Sequence, residues 1–475
     1  MNLTLKAYIE GVESGKLNPE TVIKEYLTKA KKLNAENNAF TRFHEDYVEK
    51  NLSTFKNLSL HGAPIGIKDI ILTKGYISSC WSKMLENYVS PYSATCFEKL
   101  EKHWWLMLGK TNMDEFAMGS SNENSAYGIT KNPYGTERIP GWSSGWSAAA
   151  VAADMCIAAL GTDTGGSIRE PAAFCGIVGL KPTYGMVSRY GVQSMASSFD
   201  QVGVMTKTVE DAEILLNAIR GFDERDSQSD LRSDAWRVTP TFRGQASDVK
   251  NIKIAVPKEA LGEWLDPKIK ARFLETVEKL RAQWIQVDEI SLPLLTYSLS
   301  IYYALMPAEV STNLARFDGV KFWLQGDTMW GSDIAAYYEK IRSEWFGDEV
   351  KRRILLGTFV LSSANYEWYY LRAQKARAQL ISDMDKIYAN YDIIFTPTTP
   401  EVAWKIGKND GDPLKMYLAD IYTVTANMGW RPAMSVPMGT VEDQGEQMPV
   451  GIQLMANRWD EAKIFALGKV IEMLN

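Results

Sequence analysis

The chain has 475 residues, 45% hydrophobic and 23% charged, an ordinary composition for a globular protein long enough to bury a large core. Its 52 basic and 58 acidic side chains leave a net charge of −6, so no global positive field draws nucleic acid to this chain alone. Four cysteines without a C-x-x-C pair, a polar start and no apolar run of membrane-spanning length predict a reduced, cytoplasmic, soluble protein with buried thiols.

Apolar residues at helical spacing predict helices through residues 1–60, with Pro19 suited to a first turn. The apolar run 63–72 has strand character. Alternation follows: helix over 94–103, strand over 105–111, helix over 147–156, strand over 157–164, and a helix from near Ile168. The stretch 221–250 is polar and irregular and reads as a surface excursion. Beyond it, 253–260, 391–400 and 433–439 suggest strands, and 266–285 and 366–390 suggest amphipathic helices. Strand and helix in alternation imply an α/β fold with a sheet covered by helices.

Three segments carry chemistry. In Gly161–Pro171 (GTDTGGSIREP), a strand turns through two glycines into Ser167 at a helix start, where free N–H groups and the helix dipole stabilise negative charge. A nucleophile and an oxyanion site could therefore share a few residues, although a capping serine in a glycine turn explains the segment equally well. The only histidines, His44, His61 and His103, lie far upstream in unpromising contexts; a Ser-His-Asp triad stays open only because triads depend on geometry, not chain order. Lys68, in Gly66-Ile67-Lys68-Asp69, interrupts an apolar strand, where burial would lower its pKa and make it a base; snorkelling or an acidic partner is the plain alternative. Ser143, in Pro140–Ser147 (PGWSSGWS), could relay a proton between them, or simply cap the alanine-rich helix that follows.

Together these segments resemble the amidase signature family. That family joins a lysine of a G-I-K-D strand, the first serine of a G-G-S-S-G-G-S loop, set on a cis peptide bond, and a serine after D-T-G-G. Here these are Lys68, Ser143 and Ser167. The resemblance spans the whole chain and implies one domain, 1–475, with a central mixed twisted sheet covered by helices on both faces. Its parts would be an N-terminal helical region (1–60), the Ser-Ser-Lys core (61–220), the excursion (221–250) and the remaining sheet with a glutamine-recognition region (251–475). Lys110–Gly128, Gly179–Asp200 and Glu349–Ser363 are similar to the A-subunit branch of that family, found in tRNA-dependent amidotransferases. That likeness implies that Ser167 forms a glutamyl ester, with Thr164, Gly165 and Gly166 holding the oxyanion. It further implies that Arg353 binds the α-carboxylate and Asp420 the α-ammonium of glutamine. The implied partners are B and C subunits in a heterotrimer, with mischarged tRNA held mainly by B. The chain itself would need no cofactor or metal, ATP and Mg being used by B.

One departure alters this expectation. The family loop has glycine where this chain has Trp142 and Trp146, and indoles there should misplace Ser143. Trp264, Trp284, Trp323, Trp345 and Trp430 also stand where the family has glycine, which suggests UGA codons read as glycine in the source. Were the tryptophans genuine, a catalytically dead scaffold would be the rival reading. A free-standing small-amide hydrolase is another. Glycine at 104 would complete a P-loop pattern through Thr111, but Leu106-Met107-Leu108 reads as buried strand, unlike an exposed phosphate loop.

Overall fold

Side chains at the helix starts explain several boundaries. Asn18 accepts from the Thr21 N–H at the head of Pro19–Asn37, and Asp266 accepts from Lys268 and Ile269 N–H groups at the head of Pro267–Ala282. Both helices carry proline in the first turn, where its missing N–H is no loss. The computed structural model describes every residue except 1, 53–61, 104, 120, 126, 236–248, 320–332 and 409–412.

Eleven strands form one mixed sheet: β1 (Phe40–Phe43), β2 (Pro64–Lys68), β3 (Leu106–Thr111), β4 (Ala158–Asp163), β5 (Val178–Lys181), β6 (Gln201–Thr206), β7 (Lys253–Pro257), β8 (Gln286–Ile290), β9 (Ile393–Pro397), β10 (Ala433–Asp443) and β11 (Glu446–Ala456). Their spatial order is β1-β3-β2-β4-β6-β5-β10-β11-β9-β7-β8. β2 lies parallel to β3 and β4, β7 parallel to β8 and β9, and the remaining pairs are antiparallel. Helices cover both faces. Met434 of β10 reaches Gly468 of the helix Glu461–Leu474, whereas the next residue, Ser435, meets Gly451 over Ala173 of the helix Arg169–Phe174. Consecutive side chains on a strand point to opposite faces. The fold is thus α/β with a mixed sheet, as the sequence and the resemblance led us to expect.

Every residue of β2, β3 and β4 is buried, which explains their nearly unbroken apolar runs. The possible P-loop at 104–111 is instead an interior strand from Leu106 onward. Within 221–250, the described residues 221–235 are tied down: Asp223 accepts from Ser188 at 2.7 Å, and Asp226 pairs with Arg189 at 2.7 Å. Beside the main core, a smaller cluster gathers Ile139, Trp142, Phe174, Trp404, Ala419 and Met448.

Candidate active site

Register places the lysine. Ile67 of β2 lies opposite Leu160 of β4, so Lys68 at the strand end reaches Thr162 across the parallel pair. Its Nζ lies 2.9 Å from Thr162 Oγ1, 2.7 Å from Ser143 Oγ and 2.8 Å from Ser144 Oγ. The side chain is fully buried and touches hydroxyls rather than a carboxylate. Burial pushes its pKa from 10.5 down to about 7, against the pull of Asp114, Asp163 and Asp200. Near neutral pH the amine can therefore hold a lone pair and act as a base.

Ser167 follows β4 through a turn closed by the Glu170 N–H donating to the Gly166 carbonyl at 3.0 Å. Gly166 has φ 141°, and a Cβ there would run into the Thr423 hydroxyl, so the position requires glycine. The N–H groups of Thr164, Gly165 and Gly166 donate to no described residue and remain available to a developing oxyanion. Beneath the turn Arg169 uses all five of its donors. Two go to Asp163 (3.0 and 2.9 Å), two to Gln453 and Asn427 (both 2.6 Å) and one to the Thr423 carbonyl (2.8 Å). Burial works against the Asp163 charge, but Arg169 holds that carboxyl below its ordinary range.

The loop carrying Ser143 departs from the expected arrangement. Among the described residues every peptide bond is trans, and Ser143 Oγ makes no hydrogen bond to Ser167 Oγ. Lys68 and Ser143 are brought together, but the second link of the relay is missing. Trp142 sits at φ 29°, its carbonyl accepts from Asn122 Nδ2 and from the Gly145 N–H, and its indole packs against Phe174 and Trp404.

Arg353 and Asp420, distant in sequence, meet around one aromatic pair. Tyr303 and Tyr417 stack at 4.1 Å, with the Arg353 guanidinium 5.9 and 5.7 Å from the two ring centres. Tyr303 donates to Asp420 at 2.8 Å, while Glu349 accepts from both Arg353 (2.8 Å) and Tyr417 (2.9 Å). Burial raises the Asp420 pKa to about 7, and its Oδ1 has no partner. Thr423 ties this group to the nucleophile turn: its N–H donates to the Asp420 carbonyl at 3.0 Å and its hydroxyl to the Gly165 carbonyl at 2.6 Å.

Tyr303, Tyr417, Glu349 and Thr423 escaped the sequence reading. The i, i+4 spacing of Glu349 and Arg353 was visible, but nothing local points Tyr303 at residue 420. Of the histidines, His44 packs on Tyr76 with its Nε2 unpartnered, and His103 ends a helix; among the described residues neither is hydrogen-bonded to Ser167, and His61 lies outside them.

Residues 21–465 match the amidase family. The A subunit of glutamyl-tRNA(Gln) amidotransferase from Persephonella marina is 46% identical over 470 residues, covering 97% of this chain and 95% of that protein. The protein of the same name from Thermodesulfovibrio yellowstonii is 48% identical over 426 residues, 90% of this chain and 86% of its own. Among solved structures, the A subunit of glutamyl-tRNA(Gln) amidotransferase from Thermotoga maritima superposes with a TM-score of 0.81 at 38% identity, covering 99% of this chain and 94% of that one. A peptide amidase from Stenotrophomonas maltophilia gives 0.79 at 26% identity, covering 99% and 96%.

Proposed function

The chain belongs to the amidase family, and on that footing we propose that it is the glutamine-hydrolysing subunit of a tRNA-dependent amidotransferase. The observation that carries this reading is Lys68: a lysine sealed from water, contacting only hydroxyls, at the end of the strand beside the Ser167 turn. Relatives bearing that subunit's name support the substrate, and Arg353 and Asp420 offer opposite charges to the two ends of an amino acid.

In this reading Ser167 Oγ attacks the side-chain amide carbon of glutamine. Its proton passes through Ser143 to neutral Lys68, while the N–H groups of Thr164, Gly165 and Gly166 receive the oxyanion. Collapse breaks the C–N bond as the proton returns through Ser143 to the leaving nitrogen, which departs as ammonia. Water then attacks the glutamyl ester by the same relay and frees glutamate. The ammonia passes to a B subunit, which uses ATP and Mg to amidate Glu-tRNA(Gln) or Asp-tRNA(Asn), with a C subunit completing a cytoplasmic heterotrimer. This chain holds no cofactor in that scheme. Among the described residues no helix is long and apolar enough to cross a membrane.

Ser167→Ala in the assembled enzyme tests the assignment. Glutamine-dependent amidation should fall at least ~1,000-fold, while amidation fed by free ammonium should persist. Glutamine-dependent activity left intact would remove Ser167 from the chemistry. The missing Ser143–Ser167 hydrogen bond favours a second reading, an inactive scaffold, for a chain that carries tryptophan at 142.

A further inference from the structure

Nothing inside the turn Thr164-Gly165-Gly166 fixes the direction of its N–H groups. It joins the end of β4 to the helix Arg169–Phe174, two of its three residues are glycine, and its N–H groups donate to no described residue. An oxyanion site works only when its donors are already aimed, so the aim must come from outside the turn. Thr423 holds the Gly165 carbonyl at 2.6 Å. Among the described residues Thr164 makes one side-chain hydrogen bond, from Oγ1 to Asp200 Oδ1 at 2.7 Å.

Sheet register puts that carboxylate there. β4 and β6 run antiparallel with Asp163 opposite Gln201, so one step beyond this last pair Thr164 stands opposite Asp200. Residues opposed in this way project to the same face and meet. Both are sealed from water, Thr164 at 3% and Asp200 at 6% exposure. The carboxylate is itself immobilised. Its Oδ2 accepts from the N–H groups of Met195 and Ala196 at 2.9 and 3.0 Å and from the Ser194 hydroxyl at 3.3 Å, so residues 194–200 fold around it. That loop is fastened to the helix Ser298–Asn313: Asn313 donates to the Met195 carbonyl at 3.1 Å, and Glu309 accepts from the Ser198 N–H at 2.9 Å. The same helix backs the turn directly, since a Cβ on Gly165 would run into the Tyr302 hydroxyl.

Closing the 194–196 turn takes one carboxylate oxygen. The other goes to Thr164. Burial makes the charge costly, pushing the Asp200 pKa from 3.8 up to about 6 against the pull of its donors. In return, an ionised acceptor binds a hydroxyl about twice as strongly as a neutral one, which stiffens the hold on Thr164.

We propose that Asp200 is a positioning residue for the oxyanion site: through the Thr164 hydroxyl it fixes the peptide whose N–H meets the developing negative charge. It touches no reacting atom. Its effect is confined to the transition state, where that charge appears, and leaves binding of the uncharged amide alone. The proposal rests on the oxyanion role of Thr164 in the proposed mechanism, and not on glutamine being the substrate.

The test uses the chain with W142G/W146G, which gives its Ser143 loop the family's glycines, assayed on glutamine and on propionamide. Asp200→Asn and Thr164→Val should each lower kcat at least ~10-fold with KM within ~2-fold of the parent. That is less than the ~100–1,000-fold lost when an oxyanion donor is removed, because here the N–H is displaced and not deleted. Thr164→Ser, which keeps the hydroxyl, should recover most of what Thr164→Val loses. The double variant D200N/T164V should stay within ~3-fold of T164V, since the carboxylate then has no hydroxyl to hold. Losses that multiply in the double variant would overturn the proposal and move the action of Asp200 elsewhere, to Lys68 first, whose proton affinity it also raises. A rise in KM at unchanged kcat would overturn it too, as would Thr164→Val with the parent's kcat. Asp200→Asn also loosens the 194–196 turn, so urea unfolding accompanies each assay. Thr164→Val leaves that turn's bonds in place and, set against Thr164→Ser, decides the question even if Asp200→Asn does not fold. Hydrolysis of propionamide but not glutamine would sink the glutaminase function and leave the cycle to be read on propionamide. Hydrolysis of neither by the parent would remove the oxyanion role, and the proposal with it.

Discussion

A lysine sealed from water at the end of β2 can offer a lone pair near neutral pH only because burial has made its charge costly. The drop from 10.5 to about 7 corresponds to about 5 kcal/mol of disfavoured charge when the proton is retained. Lys68→Met should remove that cost and lose three hydroxyl contacts worth about 1 kcal/mol each, leaving the variant about 2 kcal/mol more stable below pH 7. The sign follows from proton counting. Between about pH 7 and 10.5 the unfolded chain keeps a proton that the folded chain has released, so the parent gains stability as pH rises while the methionine variant does not. The advantage should shrink through that window and reverse at about pH 8.5, as read by urea unfolding at several pH values. A difference that stays constant with pH would show that Lys68 keeps its proton in the folded chain. The same titration predicts that glutamine hydrolysis by the W142G/W146G form rises with pH through about 7, as the base is freed.

At the scale of elements, the ends of helices carry information that side-chain identity obscures. Proline in the first turn at 19, and the apolar runs of β2, β3 and β4, were legible because each rests on a local rule. The pairings were not. The antiparallel return of β6 between β4 and β5, and the joining of β11 to β9, depend on long-range register that no window of sequence contains. After Pro267–Ala282 the Ile285 N–H returns to the Leu280 carbonyl at 3.3 Å, and this Schellman closure escaped because its usual marker, glycine, is replaced by Trp284 at φ 65°. An L-residue in the left-handed region costs about 1–2 kcal/mol, partly offset because glycine leaves the unfolded chain freer. With its indole exposed, Trp284→Gly should therefore stabilise the chain by about 1 kcal/mol, seen as a higher urea midpoint at unchanged slope. Trp284→Ala, which keeps the Cβ, should give little or none of that gain. Equal gains from the two variants would mean that the indole, and not the backbone angle, is at fault.

Across the whole molecule the site is an assembly point for distant chain segments, and Arg169 is where they are fastened. The sequence placed Ser167 and Arg169 in one motif but could not show that Arg169 would gather Asp163 at the end of β4, the Thr423 carbonyl, Asn427 and Gln453 on β11. Arg353 and Asp420 were legible only through resemblance, because the Tyr303–Tyr417 stack that relates them joins residues far apart in the chain. Arg169 is the cation that pairs directly with Asp163, whereas Lys181 and Lys68 act on that carboxylate only at a distance. Arg169→Met should cost about 3–5 kcal/mol by leaving that carboxylate buried and unpaired. Asp163→Asn in the same chain should return part of the loss, since a neutral amide no longer demands a counter-charge. A double-mutant cycle by urea unfolding measures this, and purely additive effects would mean that the pair is not coupled as its geometry requires. Glutamine hydrolysis offers a separate readout on the W142G/W146G background. There the Arg169→Met, Asp163→Asn pair should remain inactive even with stability partly restored, because the turn that aims Ser167 is anchored through Arg169 to the Thr423 carbonyl, and Thr423 in turn contacts both Gly165 and Asp420.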